Sequence, residues 1–163
     1  MRSHGWQKSF VSMIRVITVG KKHEDWIANG LERYSKRLSG PWNVEWVLLP
    51  HSAREGLQAR QDESRAILSR LKNDEYVVLL DERGKLIDSP ALSAQVSSRI
   101  DVSQPLVIVI GGAYGVDNTI TARANFIWSL SPLVLPHQLV RLILIEQLYR
   151  AQAIASGHPY HHV

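Results

Sequence analysis

The sequence predicts an α/β protein built on a mainly parallel sheet of about five strands. Two observations carry this. Tyr76 to Leu80 (YVVLL) and Leu106 to Ile110 (LVIVI) are short uninterrupted apolar runs, the pattern of strands buried on both faces. Strand-like and helix-like patterns also alternate along the chain, as they do when helices cross over between parallel strands. With 163 residues, 45% of them hydrophobic, the chain can fill one core, and one domain is expected over residues 13–163.

Taken in order, Ile14 to Val19 alternates and is β-branched, a strand that ends at Gly20. Ile27, Leu31, Tyr34 and Leu38 recur at helical spacing, and Gly40-Pro41 stops that helix. Val44 to Leu49 reads as a strand closed by Pro50, and residues 54–72 have helical composition. After YVVLL, the segment DERGK reads as a turn. Ser89-Pro90 then opens a helix, with serine as the cap and proline in the first turn. LVIVI leads into GGAYG and a helix from Asp117-Asn118. Phe126 to Trp128 is a short strand, SPLVLPH a loop, and His137 to Ala155 a long helix.

Residues 1–12 contain neither an apolar core nor a cleavage-type sequence and read as an extension outside the domain. No stretch is long and apolar enough for a membrane helix. The absence of cysteine removes disulfides and thiolate chemistry and fits a reducing cytoplasm. The net charge of +4 and pI near 9.6 lie mainly with the first half, including Lys21, Lys22, Arg33, Lys36 and Arg37. Such a surplus is compatible with a nucleic-acid partner and equally with a solvated charged face.

Gly111, Gly112 and Gly115 lie between a buried strand and a helix, where an α/β sheet binds ligands. A dinucleotide fingerprint would need glycine at position 110, which is Ile110. It would also need an acid about twenty residues later, and none occurs between Asp117 and Glu146. The nicotinamide reading fails. A tight turn packed under a helix remains open alongside a ligand loop.

The last helix is apolar over most of its circumference, as when a helix is buried against more than one neighbour. A partner subunit and an ordinary core position both satisfy that. His137, Arg141 and Gln152 share one narrow side, with Glu146 and Arg150 opposite at ion-pair spacing. The chain closes on GHPYHHV. His158, His161 and His162 have neither the helical spacing nor the fourth ligand of a zinc site, so no metal is expected. Pro159 and Tyr160 favour a packed tail over a solvated one.

VIVIGGAYG, WSLSPLVLPHQLVRLILIEQLYRA and HPYHH together make residues 13–163 similar to the ribosomal RNA large subunit methyltransferase H family. These are small SPOUT-class enzymes that methylate N3 of a pseudouridine in 23S rRNA. The resemblance implies a carboxyl-terminal trefoil knot, S-adenosylmethionine as cofactor without a metal, and a homodimer acting on the assembled ribosome. Position by position, it places Leu80, Gly112, Ser131, Pro132, Leu133, Val134, Leu135 and Pro136 around the cofactor. Tyr160 and His161 match the family's substrate-side lid, with His137 and Arg141 facing the same cleft. Two positions depart from the family pattern. His162 stands where Arg or Lys is usual, and Val134 stands where a hydroxyl residue is common.

What the resemblance implies chemically is an in-line methyl transfer, accelerated mainly by alignment of the reacting atoms. The acceptor N3–H must lose a proton, a task suited to a neutral histidine, here His161. A donor such as Arg141 would stabilise the charge developing on the neighbouring carbonyl. Two alternatives remain, a non-catalytic rRNA-binding protein and a SPOUT methyltransferase for another RNA.

Overall fold

A computed structural model describes residues 13–161, so the amino-terminal extension and His162 lie outside the described residues. Its elements are β1 (Ile14–Val19), α1 (Asp25–Ser35), a 3-10 turn (Gly40–Trp42), β2 (Val44–Leu49), α2 (Gly56–Leu68) and β3 (Tyr76–Leu86). They continue with α3 (Ser89–Asp101), β4 (Leu106–Ile110), α4 (Asn118–Arg123), β5 (Phe126–Ser129) and α5 (His137–Ser156). The five strands form one sheet in the order β2-β1-β4-β3-β5, with every pair parallel. The expected α/β architecture is therefore present.

Helices cover both faces, which is why the central strands can be apolar without alternation. All five residues of β4 are buried. Leu106, Ile108 and Ile110 pack with Ile27, Leu31, Leu92, Val96 and Leu144 from α1, α3 and α5. Val107 and Val109 point the other way, with Ile67 of α2 and Ile120 of α4. Each strand thus divides its side chains between two cores, following the two-residue period of the pleat. The apolar circumference of α5 is explained within the chain, because α1 and α3 flank it on the same face of the sheet. Leu139, Ile143 and Ile154 on α5 stay only partly buried.

Three boundaries differ from expectation. Helix α2 covers Gly56–Leu68, shorter at both ends than residues 54–72. The cap of α3 is Asp88, whose carboxylate accepts from the Ala91 N–H, and Ser89 is already helical. Either residue type can cap, and here the Asp88 side chain holds the first-turn N–H. The third difference matters for function. DERGK does not turn the chain but belongs to β3, which shifts register against β5 between Leu80 and Lys85. A local bulge of this kind re-aims side chains at the end of a strand. Gly84 permits it, since a Cβ there would lie 2.7 Å from the Ile127 carbonyl oxygen.

Candidate active site

In a parallel sheet the loops after the strands gather at one edge, and the carboxyl-terminal edge is where ligands bind. A cleft of ≈ 690 Å³ occupies that edge beyond β3, β4 and β5. Its walls are the β3 bulge (Leu80 to Arg83), the glycine loop (Gly111 to Val116), the segment after β5 (Leu130, Ser131, Leu133, Leu135) and His137. Leu80, Gly112, Ser131, Leu133, Val134 and Leu135 thus line one cavity, although 19 to 32 residues separate the three segments in sequence. Pro132 and Pro136 belong to the same loop without lining the cleft. Leu133 and Val134 are 70% and 81% exposed, so this wall presents apolar side chains to open space. Ser131 shapes it internally: its hydroxyl accepts from the Leu133 N–H, and its carbonyl accepts from the Ser129 hydroxyl.

The glycine loop rests on α2, a contact that sequence reasoning missed. Arg60 Nε donates to the Tyr114 carbonyl at 2.7 Å, and Ser64 Oγ accepts from the Asp117 N–H at 2.9 Å. Between them Glu63, 5% exposed, lies directly beneath Gly112. Its Oε2 accepts from the Ser52 N–H, and its Oε1 is buried with no donor among the described residues. A Cβ on Gly112 would sit 2.6 Å from that oxygen, so residue 112 must be glycine for the loop to lie this low. One signal in the sequence could have exposed the arrangement. Ala59, Glu63 and Ile67 form an i, i+4, i+8 stripe, and an acid in the middle of a buried stripe asks for a reason.

His137 opens α5 and joins the cleft to β1. Its Nε2 lies 2.8 Å from the Val19 carbonyl oxygen, 2.9 Å from Arg141 Nη2 and 3.3 Å from Thr18 Oγ1. The Gly111 backbone also favours the protonated ring, which only its carbonyl can do. No single neutral tautomer satisfies all of these contacts: Nε2 either accepts from Arg141 Nη2 or donates to the Val19 carbonyl, and in the first case Nδ1–H is left to donate to Gly111 and Arg141 Nη2 serves the Val19 carbonyl. Burial first, and the Arg141 cation second, push the His137 pKa below its ordinary value.

Arg141 does not reach the cleft surface. It is fully buried behind His137, because the sheet edge and the β1–α1 loop close over it. Its guanidinium donates to the carbonyls of Val19 (3.1 Å) and Lys22 (3.1 Å) and to the imidazoles of His137 and His23. No carboxylate is among those acceptors, and burial lowers its pKa. The loop following β1 is thus fastened by backbone acceptors, with Gln138 adding a bond to Lys22 O and another from Glu24 N.

His23 is depressed too, by burial and then by Arg141. A histidine with a lowered folded pKa contributes stability above its unfolded value near 6.5 and loses it as the pH falls through the folded value. The urea midpoint should therefore drop as the pH falls below about 6.5. His137→Gln should remove part of that slope; an unchanged slope would mean that this ring is not held neutral.

Tyr160 and His161 lie elsewhere in the chain. Gly157, left-handed at φ 72°, ends α5, and the tail turns back along the helix. Tyr160 stacks on Tyr149 at 4.6 Å and donates to Glu146 Oε1 at 3.1 Å. Arg150 lies over the Tyr160 ring, is paired with Glu146, and donates to His161 Nδ1 at 3.2 Å. At 1.5 Å per residue, Glu146 is about 13 Å along α5 from His137. One chain by itself therefore does not bring the tail to its own cleft. Among the described residues, no group of three or more His, Asp or Glu side chains could hold a metal, and no helix is long and apolar enough to cross a membrane.

Comparison with known proteins agrees with this geometry. A family model described as "Predicted SPOUT methyltransferase" matches residues 13–161. The chain is 42% identical over 152 residues to "Ribosomal RNA large subunit methyltransferase H" of Alkalilimnicola ehrlichii, covering 91% of this chain and 97% of that protein. It is 40% identical over 157 residues to the protein of the same name from Psychrobacter sp., with the same coverage. In fold it is similar to a solved probable methylase family protein of Haemophilus influenzae, with TM-score 0.56, 15% identity, and coverage of 93% of this chain and 71% of that one. The chain belongs to the SPOUT methyltransferase family.

Proposed function

We propose that this methyltransferase uses S-adenosylmethionine to methylate N3 of a pseudouridine in 23S rRNA, acting in the cytoplasm as a knotted homodimer on the assembled ribosome. The observation that carries the reading is the cleft itself. It is assembled from the strand ends that the family pattern specifies, in a chain matching rRNA methyltransferases over nearly their whole length.

The residues present fit the cofactor. Its amino-acid end carries both charges, and the cleft wall carries Glu82 and the Arg83–Asp81 ion pair, groups able to exchange partners with an ammonium and a carboxylate. Leu79, Leu80, Leu130 and Leu135 supply apolar wall for the adenosine, and the buried Oε1 of Glu63, without a donor among the described residues, suits a cationic ligand nearby. When bound, S-adenosylmethionine supplies an electrophilic methyl group on a sulfonium. Everything else falls to the protein. Leu80, Gly112 and residues 131–136 hold the donor in line, which provides most of the acceleration. His137, held neutral, adds no repelling charge to the wall. Arg141 acts through it, fixing the ring and the β1–α1 loop. The tail of one subunit closes the cleft of the other, so that His161 receives or relays the N3 proton and Tyr160 packs against the base. The partly buried Leu139, Ile143 and Ile154 of α5 support the dimer.

The test is transfer of label from S-adenosylmethionine to assembled ribosomes, and separately to free rRNA, between pH 6 and 8. Label on a pseudouridine of ribosomes alone is the expected result. His161→Ala should slow transfer by about 100-fold, the lower range for loss of a general base, while leaving cofactor affinity near normal. Cofactor binding with no label on any RNA would identify a binding protein instead.

A further inference from the structure

From the packing beneath the glycine loop we infer that Glu63 is a specificity-determining residue: its buried carboxylate selects for positive charge on the ligand in the cleft. The inference rests on the cofactor reading above and goes beyond it by naming the group that senses the sulfonium.

Three features of the packing combine. Glu63 is 5% exposed, yet no cation forms a short ion pair with it; the nearest, His51 Nδ1, is 3.9 Å from Oε2 and its ring is 65% exposed. Oε1 is buried and has no donor among the described residues. That oxygen faces Gly112, whose missing side chain leaves a single backbone layer between the carboxylate and the cleft. Charge left uncompensated in a low-dielectric interior acts over several ångströms, because little water screens it. The other charges of α2 near the loop are spent on structure. Arg60 Nε is bonded to Tyr114 O, and Arg54, before the helix, pairs with Asp62.

The cofactor and its product differ in charge at one atom. S-adenosylmethionine carries a sulfonium, and loss of the methyl group leaves the neutral thioether of S-adenosylhomocysteine. A fixed negative charge behind Gly112 therefore favours the donor over the spent product and aids product release. A role confined to packing would affect both ligands alike.

Calorimetry on the full chain, titrating S-adenosylmethionine, S-adenosylhomocysteine and sinefungin in turn, separates the two roles. Sinefungin carries an ammonium near the position of the sulfonium. Glu63→Gln keeps the shape and the acceptor for Ser52 N–H while removing the charge. It should weaken both cationic ligands about tenfold relative to S-adenosylhomocysteine, the scale of one charge pair partly screened by protein. Glu63→Met, which removes the charge together with the acceptor for Ser52 N–H, serves the same comparison if the amide variant does not fold. Equal weakening of all three ligands, or no change in any, overturns the inference and leaves Glu63 as packing. Failure of the parent protein to bind any of the three overturns the cofactor reading itself, and this inference with it.

Discussion

Replacing Arg141 with methionine should lower the unfolding free energy by about 2–4 kcal/mol and loosen the β1–α1 loop. The side chain is fully buried and donates to four acceptors, Val19 O, Lys22 O, His23 and His137, of which Lys22 O also accepts from Gln138. A buried acceptor stripped of its donor costs about 1–3 kcal/mol. The total stays well below four such costs for two reasons. Methionine fills part of the volume, and removing a buried cation that has no carboxylate partner relieves its desolvation. Arg141→Lys should recover little, since one ammonium cannot span two carbonyls and two rings. Urea unfolding gives the magnitude. Hydrogen exchange at residues 20–23 locates it, because Val19 O would lose the Arg141 donor and Lys22 O one of its two donors. A change under 1 kcal/mol would show that the loop is held by other contacts. Cofactor affinity should fall as well, since His137 loses the donor that fixes its ring at the cleft wall.

The second large effect is expected at Gly112. A methyl group there would meet Glu63 Oε1 at 2.6 Å and Val19 Cγ1 at 3.3 Å, with Glu63 tied at its other oxygen to Ser52. Overpacking of this kind costs about 1–3 kcal/mol. Because the same loop walls the cleft, Gly112→Ala should also weaken the cofactor by roughly tenfold, equivalent to about 1.4 kcal/mol. The collision has a named partner, so a double-mutant cycle can isolate it. In a Glu63→Ala background, where the space is vacated, the stability cost of Gly112→Ala should fall below about 1 kcal/mol. A cost that is unchanged in that background would place the strain in the loop backbone or on Val19.

How much of this was legible beforehand depended on the range of the forces involved. The strands YVVLL and LVIVI declared themselves because burial on two faces demands apolar residues throughout, while the order of strands in the sheet came from the structure alone. The loop after β5 and the glycine loop were visible as motifs, and they do line one cleft. DERGK was misread because its composition is that of a turn. Only the approach of the β5 backbone to Gly84 shows it to be the bulge of a longer strand. His137 and Arg141 were placed on one side of a helix by their spacing, but spacing could not say which of them reaches the cleft. That was decided by the β1–α1 loop, nearly 120 residues earlier in the chain, folding over the arginine.

The sequence by itself determined the α/β class, the strands and helices, the family pattern and the segments that converge on the cleft. The class and the elements follow from periodicity and turn chemistry, which act over a few residues, and the convergence on the cleft follows from the resemblance to the family. Tertiary structure alone decided that Glu63 lies under Gly112, that Arg141 is interior, and that the tail packs on Glu146 and Arg150 away from its own cleft. A charged residue on a helix normally reads as solvated, and its burial is fixed by which distant segments cover it. In this protein those covering segments are the glycine loop and the loop after β1, brought to one edge by the parallel order of the sheet.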